Sequence, residues 1–203
     1  TNKILALGNK NTKIIFASST SVYGSQYKII NSKNNQLNIS PQSPYAESKI
    51  LCENIIKKKS ANYCIMRFGT IFGMSDGMRF HTAINKFCYQ AAMDKEITIW
   101  KKFYKKKRPY LDLDDCVRSI IFSIFNQKIK NETLDVVTIN LKVIDIIKEI
   151  EKLKKINKSF VNTKILNQLS YEVHSDRLIS LKFKFNGNLF SSIKKTINKL
   201  NLG

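Results

Sequence analysis

The sequence predicts an α/β protein built on an open parallel sheet. Three observations carry that expectation: apolar runs at Lys13–Ser18 and Tyr63–Phe68 that lack polar alternation, helical patterns of crossover length between such runs, and a helix-start signal at Ser43-Pro44. A run apolar on both faces is what a strand covered by helices on each side looks like. Strands that alternate with helices are the signature of a parallel sheet. With 203 residues and 43% hydrophobic content, the chain can bury a core of its own.

Lys13–Ser18 (KIIFAS) reads as the first buried strand, ending in small hydroxyl residues. Residues 25–43 are rich in Asn, Ser and Gln and have no period, so a long loop is expected there. Ser43 is the expected N-cap and Pro44 the first residue of a helix that runs to about Lys59, aided by the Glu53–Lys57 pair. Tyr63–Phe68 (YCIMRF) is the second strand, followed by a turn through Gly69 and Gly73. A helix is expected over Met78–Asp94 and short strands over Ile97–Trp100 and Arg108–Leu113. Asp114 is the expected cap of a helix ending at Phe125. Val136–Ile139 should join the first two runs as a third parallel strand of one sheet. Val143–Leu153 has helical period. Beyond it come a strand near Tyr171–Val173, a helix near Ser175–Leu181 and a last helix over about 188–200.

Composition narrows the function classes. The net charge of +20 invites a nucleic-acid reading, yet 30 of the 35 basic residues are Lys and only five are Arg. Phosphate and base readers lean on the bidentate fork of Arg. Joint enrichment in Lys, Asn and Ile fits an AT-rich coding bias instead, so no specific nucleic-acid partner is expected. Lys101–Arg108, with its interleaved aromatics, could clasp a phosphodiester backbone, and a solvated turn between two strands explains it as well. No stretch of eighteen apolar residues and no charged-then-apolar leader occurs, so no membrane partner is expected and the expected location is cytoplasmic. Cys52, Cys64, Cys88 and Cys116 lie far apart, and only two His are present, so free thiols and no metal site are expected.

The residues that carry chemistry follow the first strand. Ser18-Ser19-Thr20-Ser21-Val22-Tyr23-Gly24 leads to Tyr45-Ala46-Glu47-Ser48-Lys49 at the start of the helix. Tyr45 and Lys49, four apart, share a helix face. A Lys ammonium beside a phenol favours the phenolate, which makes Tyr45 a usable acid/base near neutral pH. Ser19, at the carboxyl end of its strand, can bond the same substrate oxygen, and open parallel sheets place ligands at that edge. Taken alone, a Tyr and a Lys four apart are most often a surface pair.

Two further segments change that weighting. Met66–Gly73 (MRFGTIFG) and Lys107–Asp115 (KRPYLDLDD) follow in order. The four motifs together resemble the extended short-chain dehydrogenases/reductases, specifically the NAD-dependent epimerase/dehydratase family with its nucleotide-sugar epimerases. Their R-x-x-T-V-F-G and R-x-(F/Y)-(V/I)-H-V-x-D segments match these two stretches, and the likeness covers essentially the entire chain. The resemblance implies the C-terminal part of a doubly wound, Rossmann-like parallel sheet plus a small mixed α/β substrate-binding domain. Residues 1–73 would be the remaining NAD-binding part, 74–113 mainly substrate-binding, 114–142 a return to the sheet, and 143–203 a C-terminal substrate-binding segment. It further implies Ser19, Tyr45 and Lys49 as catalytic residues. NAD is the implied cofactor, contacted by Ala17, Ser18, Tyr45, Lys49, Phe68 and Gly69. The implied substrate is a nucleotide-diphosphate sugar, contacted by Thr20, Ser21, Thr70, Arg79, Asn85, Arg108 and Tyr171. A homodimer is compatible with it.

Departures from the family pattern are informative. No G-x-x-G-x-x-G occurs, although in relatives that turn holds the cofactor pyrophosphate with backbone amides at a helix N-terminus. The chain is therefore expected to begin after that fingerprint, as a truncated product or one half of a split enzyme. Thr70 stands where Asn is common, and Asp112 and Leu113 replace a His and a Val. Asn167-Gln168-Leu169-Ser170-Tyr171 resembles D-x-R-S-Y without its Arg. Relatives that eliminate water carry Asp-Glu directly after the Ser/Thr of the triad. Thr20 and Ser21 do not ionise, which favours epimerisation through a 4-keto sugar over 4,6-dehydration. A nucleotide-sugar reductase or dehydratase, and a non-catalytic remnant or partner-binding subunit, are the competing readings.

Overall fold

The computed structural model describes residues 1–9, 11–25, 29–31, 36, 38–162 and 170–201. In chain order its elements are α1 (Asn2–Leu7), β1 (Ile14–Ser19), β2 (Ile29–Ile30), α2 (Pro44–Lys59), β3 (Tyr63–Phe68) and β4 (Thr70–Phe72). Then come α3 (Ala83–Ala92), β5 (Ile97–Trp100), β6 (Lys107–Asp112), α4 (Leu113–Phe125), β7 (Glu132–Val136) and β8 (Ile139–Lys142). The last are α5 (Val143–Glu151), β9 (Lys158–Val161), β10 (Glu172–Val173), α6 (Asp176–Ser180) and α7 (Leu189–Asn201).

The first sheet has the order β1-β3-β7 and is parallel throughout. Its central strand β3 is buried from Cys64 to Phe68, as the unalternated run required. Helix α2 starts where the sequence placed it. Ser43 Oγ accepts from the Ala46 amide at 3.2 Å, Pro44 fills the first turn, and Lys57, Lys58 and Lys59 complement the dipole in the last. It buries Ala46, Glu53 and Ile56.

A second sheet, β4-β6-β8, pairs β4 with β6 in parallel and β6 with β8 antiparallel. β5 and β9 form a parallel pair beside it. Ile84, Phe87, Ile97, Tyr110, Ile146, Ile150 and Ile193 close the core between these strands and α3, α5 and α7. The core of the first sheet joins Met66, Leu111, Leu134, Leu178 and Phe183. A small third cluster of Val22, Tyr23, Ile30, Tyr171 and Val173 sits where β2 pairs with β10.

The structure corrects several expectations. The third parallel strand is Glu132–Val136, not Val136–Ile139. At Val137 and Thr138 the chain leaves the first sheet: the Val137 amide donates to Ser175 Oγ at 2.8 Å and the Thr138 amide to the Tyr110 carbonyl at 2.9 Å. Residues after Gly69 form a strand, β4, rather than a turn. The helix expected from Met78 begins only at Ala83, because the Arg79 carbonyl accepts from Thr82 Oγ1 and Asn85 Nδ2 instead of a helical amide. The cap of α4 is Asp112, whose carboxylate accepts from the Asp114 amide at 2.9 Å. α1, β2 and β9 were not foreseen. Asn167, Gln168 and Leu169 lie outside the described residues.

Candidate active site

A cleft of about 770 Å³ opens at the carboxyl ends of β1 and β3. Every candidate site residue lines it. Ala17, Ser18, Ser19, Thr20 and Ser21 come from the end of β1, and Tyr45 and Lys49 from α2. Phe68, Gly69 and Thr70 come from the β3–β4 junction, and Arg79, Asn85, Arg108 and Tyr171 from the far wall. The junction needs Gly69, since a Cβ there would meet the Pro109 and Tyr110 backbone at 3.1 to 3.2 Å.

Lys49 Nζ donates to the Ala17 carbonyl at 2.8 Å and stands 5.5 Å from the centre of the Tyr45 ring. Tyr45 is 56% exposed, so its phenol is open to a ligand. Ser19 Oγ accepts from the Ser21 amide at 3.1 Å, capping a short 3-10 turn over Thr20–Tyr23. That leaves the Ser19 proton to donate elsewhere. Thr20 Oγ1 and Tyr171 Oη are 3.2 Å apart, both buried. Burial pushes the Tyr171 phenol up, so it stays protonated and does not compete with Tyr45 as a base. Ser21 Oγ is buried and has no hydrogen-bond partner among the described residues. Asn85 ties the segment before α3 together, accepting from the Gly73 amide at 3.2 Å and donating to the Arg79 carbonyl at 3.3 Å.

Arg108 also faces an adjoining pocket of about 250 Å³, walled by Phe87, Trp100, Phe103 and Tyr110 and bearing Lys86 and Lys106. Neither cavity has an Asp or Glu among its described lining residues. Flat aromatic walls lined with cations suit an aromatic anion. Sequence reasoning missed this pocket, because its walls come from four elements and no local pattern joins them.

Sequence reasoning also missed a buried polar network under the cleft. The Glu53 carboxylate accepts from Arg67 Nε at 2.9 Å, Arg67 Nη2 at 2.6 Å and Ser18 Oγ at 2.6 Å. Arg67 Nη1 donates to Tyr23 Oη at 2.9 Å, and Tyr23 donates to Asp135 at 2.5 Å. Burial, then the Asp135 charge, drives the Tyr23 phenol far up, so it is a neutral donor. Burial opposes the Arg67 charge, but its bonds to Glu53 and Tyr23 outweigh this and hold it ionised. One signal was available: an Arg inside the otherwise apolar run YCIMRF.

A parallel sheet with a cleft at the carboxyl ends of its strands is the arrangement of dinucleotide-binding α/β folds. The chain matches the model of the NAD dependent epimerase/dehydratase family over residues 2–138 and belongs to that family. Among solved structures it resembles UDP-glucuronic acid 4-epimerase from Bacillus cereus, in complex with UDP-glucuronic acid and NAD. The TM-score is 0.80 at 22% identity, over 94% of this chain and 62% of that one. It also resembles UDP-glucose 4-epimerase from Thermotoga maritima with UDP-glucose (TM-score 0.77, 18% identity, 97% of this chain and 65% of that one). A third is ADP-L-glycero-D-manno-heptose-6-epimerase from Helicobacter pylori (0.77, 18%, 93% and 60%). At these identities the likeness is one of fold. The chain spans less than two thirds of the length of each of these three.

Proposed function

We propose that this chain carries the catalytic and sugar-binding part of an NAD-dependent nucleotide-sugar epimerase acting through a 4-keto sugar. The observation that carries the reading is the meeting of Ser19, Tyr45 and Lys49 with Arg108 in one cleft at the carboxyl edge of the sheet. Tyr45 accepts the proton of the sugar hydroxyl, with the Lys49 ammonium beside its ring. Ser19 donates to the same oxygen. Arg108 takes the diphosphate, and the orphaned Ser21 hydroxyl finds its partner on the sugar. When bound, NAD would supply the redox step, which no side chain can perform. Lys49 and the backbone of Ala17, Phe68 and Gly69 fit its nicotinamide end. No Gly-rich turn for its pyrophosphate occurs within these 203 residues.

Thr20 supports epimerisation over dehydration: its hydroxyl is engaged by Tyr171 and no carboxylate lines the cleft beside it among the described residues. The test joins this chain to the Gly-rich nucleotide-binding segment of a relative and supplies NAD with UDP-glucose or UDP-glucuronic acid. The expected product is the C4 epimer, read by chromatography, with Tyr45→Phe slower by about 10²- to 10⁴-fold. A fusion that binds NAD yet leaves every nucleotide sugar unchanged overturns the reading.

A further inference from the structure

We propose that Glu53 is a positioning residue for Tyr45, Lys49 and Ser19, acting through Ser18 and Arg67; the inference rests on the catalytic reading of those three residues. Tyr45, Lys49 and Glu53 fall at i, i+4 and i+8, a single stripe along α2. Two of the three face the cleft, while the third turns wholly inward, with its side chain 0% exposed. There it spans two strands at one register row. Ser18 on β1 and Arg67 on β3 are paired neighbours, and Glu53 binds both. The next row toward the cleft is Ser19 with Phe68. The row behind holds Ala17, whose carbonyl receives Lys49. Helix α2 is thus fastened at consecutive rows of the sheet edge on which its Tyr must act.

The chemistry of the fastening favours geometry over stability. An ion pair with both members 0% exposed recovers its desolvation cost poorly, and apolar residues of like volume commonly hold a core as well. What apolar residues lack is direction. The guanidinium fork and the Ser18 hydroxyl fix the rotation and height of α2 in a way that dispersion contacts do not. A small rotation at Glu53 is carried two turns along the helix to Tyr45. A misplacement of about 1 Å at a reacting group costs on the order of 10²-fold in rate. Arg67 extends the same brace through Tyr23 to Asp135 on β7, so the turn that begins with Thr20 is set by the same network.

Ser18→Ala removes one hydroxyl and keeps the ion pair, and Glu53→Met with Arg67→Met replaces the pair by apolar bulk. In the NAD-loaded fusion, both should lower kcat by about 10- to 100-fold, with KM for the nucleotide sugar within about threefold. The double variant should melt near the parent. If kcat recovers along with the melting temperature, the pair is merely structural and the proposal falls. A second readout does not depend on turnover: ¹⁹F NMR of the full chain grown on 3-fluorotyrosine, with the Tyr45 line assigned by Tyr45→Phe. In Ser18→Ala and Glu53→Gln that line should shift or split, while the Tyr104 line stays in place. An unmoved Tyr45 line overturns the proposal, even in a protein that epimerises. A line that moves in a protein without activity supports the positioning and counts against the catalytic reading alone.

Discussion

Lys49 of α2 donates its ammonium to the carbonyl of Ala17 at the end of β1, 2.8 Å away. The group that neighbours the Tyr45 ring also anchors the helix to the sheet. Lys49→Met should therefore show two separable effects. Loss of a partly exposed charged bond costs about 1 kcal/mol in urea denaturation, and loss of the cation beside Tyr45 lowers kcat of the NAD-loaded fusion by about 10²-fold. Rate and stability falling only in proportion would mean that the cation acts through anchoring alone.

Calorimetry distinguishes what this chain holds from what it does not. Titrated with NAD, the 203-residue protein should give no saturable heat stronger than about 1 mM, or roughly −4 kcal/mol. A backbone grip on the pyrophosphate is what concentrates cofactor affinity in this fold. Joining a Gly-rich segment should bring binding into the micromolar range. Micromolar binding by the chain alone would place the grip among residues not considered for it.

Asp115 is fully buried and serves four donors. It is paired with Arg118 and accepts from Thr138 Oγ1 at 2.8 Å, the Asn186 amide at 2.9 Å and the Gly187 amide at 3.0 Å. Asp115→Ala strands two backbone amides, a loss on the order of 2–4 kcal/mol. Limited proteolysis should then cut near residues 184–188, which the parent protects. Gly187→Ala should act similarly, since its Cβ would lie 2.5 Å from that of Asp112.

Buried thiols and phenols make stability fall in alkali. Burial pushes Cys88 up to about 12, Cys64 and Cys116 to about 11, and Tyr110 to about 12. Unfolded, these thiols ionise near 9.0 and the phenol near 10.0. Above that point the unfolded chain releases protons that the folded chain keeps, so stability present below about pH 9 is lost as pH rises. Urea midpoints should decline from about pH 9 to 10.5, and less steeply in Cys88→Ala. A flat profile would contradict the burial of these groups.

What the sequence made legible is what depends on near neighbours. Helix α2 was placed correctly because Ser43 and Pro44 signal within one turn. The four motifs drew candidate residues that the fold gathers in one cleft, since each motif is contiguous. Expectations failed where a distant partner decides. The apolar run from Val136 to Ile139 looks uniform although it leaves one sheet for another, for Ser175 and Tyr110 capture its amides. The start of α3 was placed too early because side chains of Thr82 and Asn85 occupy the Arg79 carbonyl. Trp100, Phe103 and Phe87 form a pocket wall only after β5 and α3 have packed.

The two main sheets are threaded through each other: β3 belongs to the first, β4 and β6 to the second, β7 to the first and β8 to the second. Only Gly69 separates β3 from β4. No single crossover with a relative could therefore exchange one sheet and leave the other whole. In this chain, the cleft wall is reshaped by substitutions, one side chain at a time, and not by trading a cassette.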